Sequence, residues 1–353
     1  MENNSIIAQE NQGEQLSLFV HRDEIYSNLF PKFHSAPIYD RRKSNYNWAI
    51  ENIDATHRFI TRQEDVDYEI RVTGASIQRY NDKTKRKENV IFWPGDREER
   101  VVDAIMKIAS NGSIDKINSK SMTGYGAYFT VYMIRQLTGM NARDVKEAIE
   151  ILNKSNLEII CKENGQEELS ASFLPVKYIS SDKSGRRDDK CYVIFHPAIM
   201  AGIDSLQFQP YIYDYSEIYN GSLSRYLHKR LVLRFRYAKD KETYHYRLRS
   251  AINDYGKFPE SMSITYSQLR NLARDMNVSL RALVDNEVIK PDFSCSPIRN
   301  SKSVIVDYKY TVSSHPRFSS HQKTVNGMAK RIRNQNEPKH EELIIDHENT
   351  NII

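Results

Sequence analysis

The sequence is poor in the residues that build special chemistry. It has 3 cysteines in 353 residues, Cys161, Cys191 and Cys295, far apart and with no CxxC pair. That spacing excludes a disulfide scaffold and a zinc ribbon, and it points to a reducing cytoplasm. Glycine and proline number 13 and 11, about 7% together against the roughly 12% of average usage, so a series of Gly-rich phosphate-binding loops is not expected. No apolar run approaches the ~18 residues of a membrane span, and the opening MENNSIIAQENQGEQ is too polar for a secretory signal. Neither sign of charge dominates: 51 Lys/Arg stand against 46 Asp/Glu, a net of +5, with 39% hydrophobic residues. The length supports two or three domains.

Hydrophobic patterning divides the chain. Residues 1–40 read as a disordered polar tail with one apolar cluster, Leu16, Leu18, Phe19 and Val20. Residues 41–95 read as a small β-rich region, where Tyr68, Ile70 and Val72 alternate, a charged turn Asn81–Asn89 precedes Val90-Ile91-Phe92, and Trp93-Pro94-Gly95 is the stop. Residues 96–206 open with a helix carrying Val101, Ala104, Ile105 and Ile108 and ending at Asn111-Gly112. A second helix is expected over 127–137, ending at Gly139, and Asn141 caps a third with Val145, Ala148, Ile149 and Leu152 inward. Strand-like runs at 157–161, 171–179 and 192–195 follow, and three helices before a hairpin is the order of a winged helix.

Residues 207–219 (QFQPYIYDYSEIY) read as an ordered connector, and within 207–334 the same order begins again. Helices are expected over about 223–238 and 246–255, and Thr265 opens a third with a capping box to Gln268. Asp275-Met276-Asn277 reads as a turn before a fourth helix with Leu280, Leu283, Val284 and Val288, and strands at 289–293 and 303–311 flank a polar loop. Residues 335–353 read as a disordered acidic tail. The expected fold class is α+β: two tandem winged-helix domains, a small N-terminal β-rich region and disordered tails.

The distribution of charge is more telling than its total. Between Gly221 and Asn334 there are 22 Lys/Arg and 9 Asp/Glu, a net of +13, so the rest of the chain is acidic. A domain this basic is an electrostatic footprint for nucleic acid, and the helix–turn–helix order favours duplex DNA with the second helix in the major groove. The recognition helix is expected at 277–287, with Ser279, Arg281, Asp285 and Asn286 outward. Arg281 suits guanine O6 and N7, and Asn286 suits adenine. Arg299 and Lys302 fall in the wing, where phosphate contact is expected, and Arg225, Lys229, Arg270 and Arg274 lie on basic helical faces. The equivalent helix of unit one exposes Asp144, Glu147 and Glu150, a face that phosphate repels and that is expected to meet protein, such as another copy in a dimer.

Other signals lead nowhere chemical. Gly124-Tyr125-Gly126 lacks the third glycine of a dinucleotide fingerprint, and no Walker lysine exists. His315 and His321 have no Cys or carboxylate at ligand spacing. No catalytic residues, metal ligands or cofactor are expected, and the chain reads as a non-enzyme.

Several stretches resemble the initiators of iteron-containing plasmids, the Rep and TrfA-type replication proteins, over roughly residues 90–333. They are PGDREERVVDAIMKIA, DVKEAIEILNKSNLEI, IYDYSEIYNGSLSRYLHKRLVLRFRY with its Leu-Ser-x-Tyr-x-x-x-Arg-Leu helix, LRALVDNEVIKPDF and SSHQKTVNGMAKRIRN. The resemblance implies binding to direct repeats at an origin, origin melting, recruitment of the replicative helicase beside a host initiator, and autorepression by a dimer. Separately, Gln15-Leu16-Ser17-Leu18-Phe19 matches the pentapeptide that binds the bacterial sliding clamp. In that motif the two last side chains fill an apolar pocket and Gln15 bonds at the rim. DNA physics alone leaves a winged-helix transcriptional repressor equally open, and the pentapeptide favours the initiator.

Overall fold

The computed structural model describes residues 26–41, 46–48, 56–63, 66–81, 84–112, 114–119, 122–162, 167–179, 190–239, 242–257 and 263–336. The pentapeptide Gln15–Phe19 and residues 337–353 lie outside the described residues.

Among the described residues the first elements are β1 (Tyr26–Leu29) and a one-turn helix α1 (Pro31–His34). Five strands follow: β2 (Tyr46–Trp48), β3 (Thr56–Gln63), β4 (Val66–Thr73), β5 (Ala75–Asn81) and β6 (Arg86–Phe92). Helix α2 (Asp96–Ser110) leads to the hairpin β7 (Ile114–Ser119) and β8 (Met122–Thr130), then to α3 (Val131–Thr138) and α4 (Ala142–Lys154). Next come β9 (Asn156–Cys161), β10 (Glu167–Ser172), β11 (Val176–Ile179), β12 (Lys190–Ile194) and α5 (Pro197–Asp204). Strand β13 (Gln209–Ile212) and α6 (Tyr213–Ile218) connect to α7 (Ser222–Arg234), β14 (Thr243–Arg247), α8 (Leu248–Asp254) and α9 (Tyr266–Asp285). Strands β15 (Ser294–Arg299) and β16 (Ile305–Ser313) and the long α10 (Pro316–Asn336) complete it.

Two copies of one plan stand out. In the first, α2, β8, α3 and α4 precede β11 and β12, which pair with β8 in the sheet β11-β12-β8-β7; in the second, α7, β14, α8 and α9 precede the sheet β14-β16-β15. Each is a winged helix, and α5 and α10 follow at equivalent places. The first copy carries an insertion, the hairpin β9–β10, which leaves its own unit and pairs with β4 in the sheet β10-β9-β4-β3. The β-rich region 41–95 is therefore hydrogen-bonded into unit one, and its other sheet, β2-β6-β5, packs on α4 through Ala75, Ile77, Val90 and Phe92 against Ile151.

Several local expectations are corrected. Residues 26–40 are no tail: β1 pairs with β13, and Leu29, Phe30 and Phe33 are fully buried, each side chain contributing about 1.5–3 kcal/mol. The helix expected over 127–137 begins only at Val131. Ala127 and Phe129 alternate inward with Tyr128 outward, a period of two, and the Thr130 side chain accepts from Met133 N to cap the helix. The run 171–179 is two strands in different sheets, broken at Phe173-Leu174-Pro175. Residues 246–247, expected to open a helix, instead end the strand 243–247, with Tyr246 stacked on Tyr310 at 5.5 Å, and the helix begins at Leu248. The strand expected at 289–293 forms instead at 294–299, and the basic end near 316–334 is a helix, seated by Phe318 and Val325.

Candidate nucleic-acid interface

Helix α9 is one continuous element of 20 residues. At its start the Thr265 hydroxyl accepts from Gln268 N, and Gln268 Oε1 accepts from Thr265 N at 2.8 Å, the expected capping box. Leu269, Leu272, Ala273, Met276, Leu280 and Leu283 are buried, an unbroken apolar stripe at i, i+3, i+4, i+7, i+11 and i+14. The turn expected at Asp275-Met276-Asn277 does not exist. Met276 is part of the stripe, and its burial outweighs the few tenths of a kcal/mol of helix propensity that Asp and Asn give up. The stretch 277–287 expected as a recognition helix is thus the second half of α9 and the residues that end it, and the outer face of α9 carries Tyr266, Arg270, Arg274, Val278 and Arg281, all exposed.

Three of the expected contact residues, Arg270, Arg274 and Arg281, therefore share one stripe. Two others on this helix do not. Ser279 is buried, on the core side. Asn286 terminates the helix and its side-chain amide donates to Ala282 O at 2.8 Å, so it is engaged with the backbone rather than offered to a base.

The wing between β15 and β16 is a tied turn. Asn300 Oδ1 accepts from the amides of Lys302 and Val304, both at 3.0 Å, and Arg299 Nη1 donates to Ser303 O at 2.8 Å. Ser303 takes a left-handed φ of 58°. Arg299, Lys302 and Val304 are exposed on it. Tyr308 on β16 lies within electrostatic range of Tyr266, Arg270 and Arg299, joining the wing to the start of α9. Tyr266 and Tyr308 belong to no motif in the sequence.

Arg225 and Lys229, expected to face DNA, are corrected to interior residues. They are 4% exposed and point at helix α2. Arg225 pairs with Asp96, and Lys229 pairs with Glu99 at 3.0 Å and with Asp103; Arg41 joins from the other side, 3.2 Å from Asp96 and paired also with Glu99. Burial opposes the charge of Glu99, yet Arg41, Lys229 and Arg225 together hold its carboxyl well below the usual range. Burial likewise opposes the Lys229 ammonium, and Asp103 and Glu99 more than offset it, raising its pKa. A signal was present: Asp96, Glu99 and Asp103 stand at i, i+3 and i+7, and Arg225 and Lys229 at i and i+4, two complementary helical faces.

In unit one the helix equivalent to α9 is α4, and it is covered. Its Ile151 lies under the β2-β6-β5 sheet, and Glu147 pairs with Arg79 and with Arg97. Asp144 accepts from Asn141 Nδ2 at 2.7 Å and Glu150 pairs with Lys154. Of the acidic face expected to meet another protein, Glu147 meets the chain's own sheet through Arg79, while Asp144 and Glu150 pair with Asn141 and Lys154 beside them. Gly124 and Gly126 lie inside strand β8, and a Cβ on Gly126 would sit 2.4 Å from Val193 O; close strand approach accounts for that glycine. Among the described residues no group of three or more His, Cys, Asp and Glu side chains is placed to hold a metal, and no helix is long and apolar enough to cross a membrane.

No protein-family model matches the chain, and no curated protein does. Among solved structures it is similar to a selenomethionine derivative of domains 2 and 3 of RctB, at 11% identity and a TM-score of 0.47, over 80% of this chain and 98% of that one. It is similar to the Pi initiator protein in complex with iteron DNA at 15% identity and a TM-score of 0.42, over 62% and 91%. A second structure of RctB domains 2–3 gives 11%, 0.40, 82% and 98%. These are distant likenesses.

Proposed function

We propose that this chain is a replication initiator that binds repeated duplex DNA sites with its second winged-helix unit. The observation that carries the reading is the outer face of α9, where Arg270, Arg274 and Arg281 stand clear of the core beside a wing bearing Arg299 and Lys302, while the matching helix of unit one lies under a sheet. One free reading helix per chain suits a site met again and again, because affinity and selection then come from several chains on a repeated array. The resemblance to iteron-plasmid initiators supports origin opening, helicase recruitment and a dimer joined through unit one. The pentapeptide Gln15–Phe19 supports a sliding-clamp contact, for which a simple repressor has no use.

The test is a gel shift of the full chain on duplexes carrying direct repeats found beside its gene, spaced about 20 base pairs, two helical turns. Binding is expected to prefer the repeats over a scrambled duplex and to weaken steeply with salt. Preference for a single palindromic operator, without clamp binding, would return the chain to the repressors.

A further inference from the structure

Hairpin β5–β6 carries a strongly basic tip. Its base lies at the seam of the two units, where Phe92 lines one cleft with Arg41, Asp96, Ser222 and Tyr255. The strands keep full register from Ala75 opposite Phe92 to Asn81 opposite Arg86, so the tip stands about 20 Å from the base at ~3.4 Å per residue. The tip, Asn81–Lys87, reads NDKTKRK: four Lys/Arg against one Asp. Lys85, Arg86 and Lys87 are exposed, and Tyr80, opposite Lys87, is 56% exposed.

The geometry keeps these charges outward and in place. Lys85 adopts a left-handed φ of 56°, and its amide donates to Asn81 O at 2.8 Å, closing the turn. The neighbouring acid, Glu88, is held by the hydroxyl of Thr84 and by Asn81 Nδ2 at 2.6 Å; these bonds hold its carboxyl below the ordinary range. Glu88 thus fastens the turn, and among the described residues no carboxylate pairs with Lys85 or Lys87. Lysines also guard edge strands against pairing, but that purpose asks for charge along the edge and gives no reason for a large exposed tyrosine beside a basic tip.

We propose that the β5–β6 tip, Lys85 to Lys87 with Tyr80, is a second contact for the nucleic-acid backbone, separate from α9 and the wing. Phosphates match it chemically: they are anions at regular spacing, they accept from Lys and Arg without reading sequence, and a ring beside them packs on sugar. The site lies on the otherwise acidic part of the chain, so it would extend the footprint beyond the basic unit and fix the orientation of the protein on the duplex. The proposal rests on the reading that the chain binds duplex DNA.

The experiment measures the salt dependence of binding to a random-sequence 40-base-pair duplex for the full chain and three variants. The first is Lys85→Asn, Arg86→Gln, Lys87→Gln, which keeps a residue tolerant of positive φ at 85; the second is Arg270→Ala, Arg274→Ala. Three lost phosphate contacts lower the log–log slope by about 2.7, at ~0.9 each, with the melting temperature unchanged. The single variant Lys87→Gln, which leaves the turn intact, lowers it by about 0.9. An unaltered slope in both hairpin variants, with a reduced slope in the α9 variant, overturns the proposal and leaves the DNA reading standing. No salt-dependent binding by the parent chain overturns both. Hairpin variants that keep the DNA slope but lose retention on polyglutamate would give the tip to an acidic protein, and so also overturn it.

Discussion

Lys229 reaches from α7 to Glu99 on α2, Nζ to Oε1 at 3.0 Å, with each side chain 5% exposed. This pair and its neighbours Asp103, Arg225, Arg41 and Asp96 join the first helices of the two winged-helix units. Two amphipathic helices that each serve as the opening helix of a unit meet through charge as well as through apolar contact. The arrangement explains why a lysine in the most basic half of the chain is not available to DNA.

Lys229→Met should therefore cost stability, about 3–5 kcal/mol, because Glu99 and Asp103 would be left buried with one cation fewer. Denaturant unfolding reads the loss. Under conditions where the variant is folded, its DNA affinity and salt slope should match the parent's. A reduced slope would put Lys229 back among the phosphate contacts.

Acid should weaken the fold well above the carboxylate range. Burial pushes His34 and His228 down to about 3 and His196 down to about 4, so all three stay neutral in the folded chain while the unfolded chain protonates near 6.5. The unfolded state then binds more protons below that value, and stability present above pH 6.5 is lost as pH falls toward the folded values. At pH 5 each histidine removes on the order of 2 kcal/mol, at ~1.36 kcal/mol per unit. The depressed Glu99 adds to the loss below about 4.3, the unfolded value of a glutamate. Urea midpoints between pH 7.5 and 5 measure it, and a flat profile would contradict this account.

On DNA, Arg281→Ala should weaken the repeated site by about 1–3 kcal/mol and leave random duplex nearly unchanged, as a base contact does. Lys302→Ala should weaken both alike, as a phosphate contact does. Asn286→Ala should alter the end of α9 and not the preference between sequences. Competition gel shifts with repeat and random duplexes separate the three outcomes.

The tail makes an independent prediction. Replacing Leu18 and Phe19 with Ala should abolish binding to the host's sliding clamp, measured by calorimetry, and leave repeat binding intact. A short peptide of this kind binds around micromolar, with most of its energy in the two apolar side chains. Unchanged clamp binding in the double variant would remove the main ground for preferring an initiator over a repressor.

Much of this was legible in the amino-acid order. The α9 stripe from Leu269 to Leu283, the capping box at Thr265 and the caps at Asn141 and Gly139 all act within a few residues, so local spacing reveals them. At Asp275-Met276-Asn277 the local turn-forming residues point to a break, but the apolar stripe runs straight through them and its burial keeps the helix whole. The strands Tyr26–Leu29 and Thr243–Arg247 were not legible, since four or five residues become a strand only by pairing with Gln209–Ile212 and Lys309–Ser313.

By itself the sequence determined the apolar stripes of the main helices, the concentration of positive charge after Gly221 and the outward arginines of α9, because periodicity and composition belong to the chain alone. Only the tertiary structure decided which cations are free. Arg225 and Lys229 carry the same charge and helical spacing as surface residues, and what buries them is an acidic face on a helix more than a hundred residues away. It also decided that α4 is closed and α9 open, since the sheet lying on α4 is built from residues that precede the unit it covers. Electrostatic partners and covering surfaces are set by proximity in space, which no local pattern encodes.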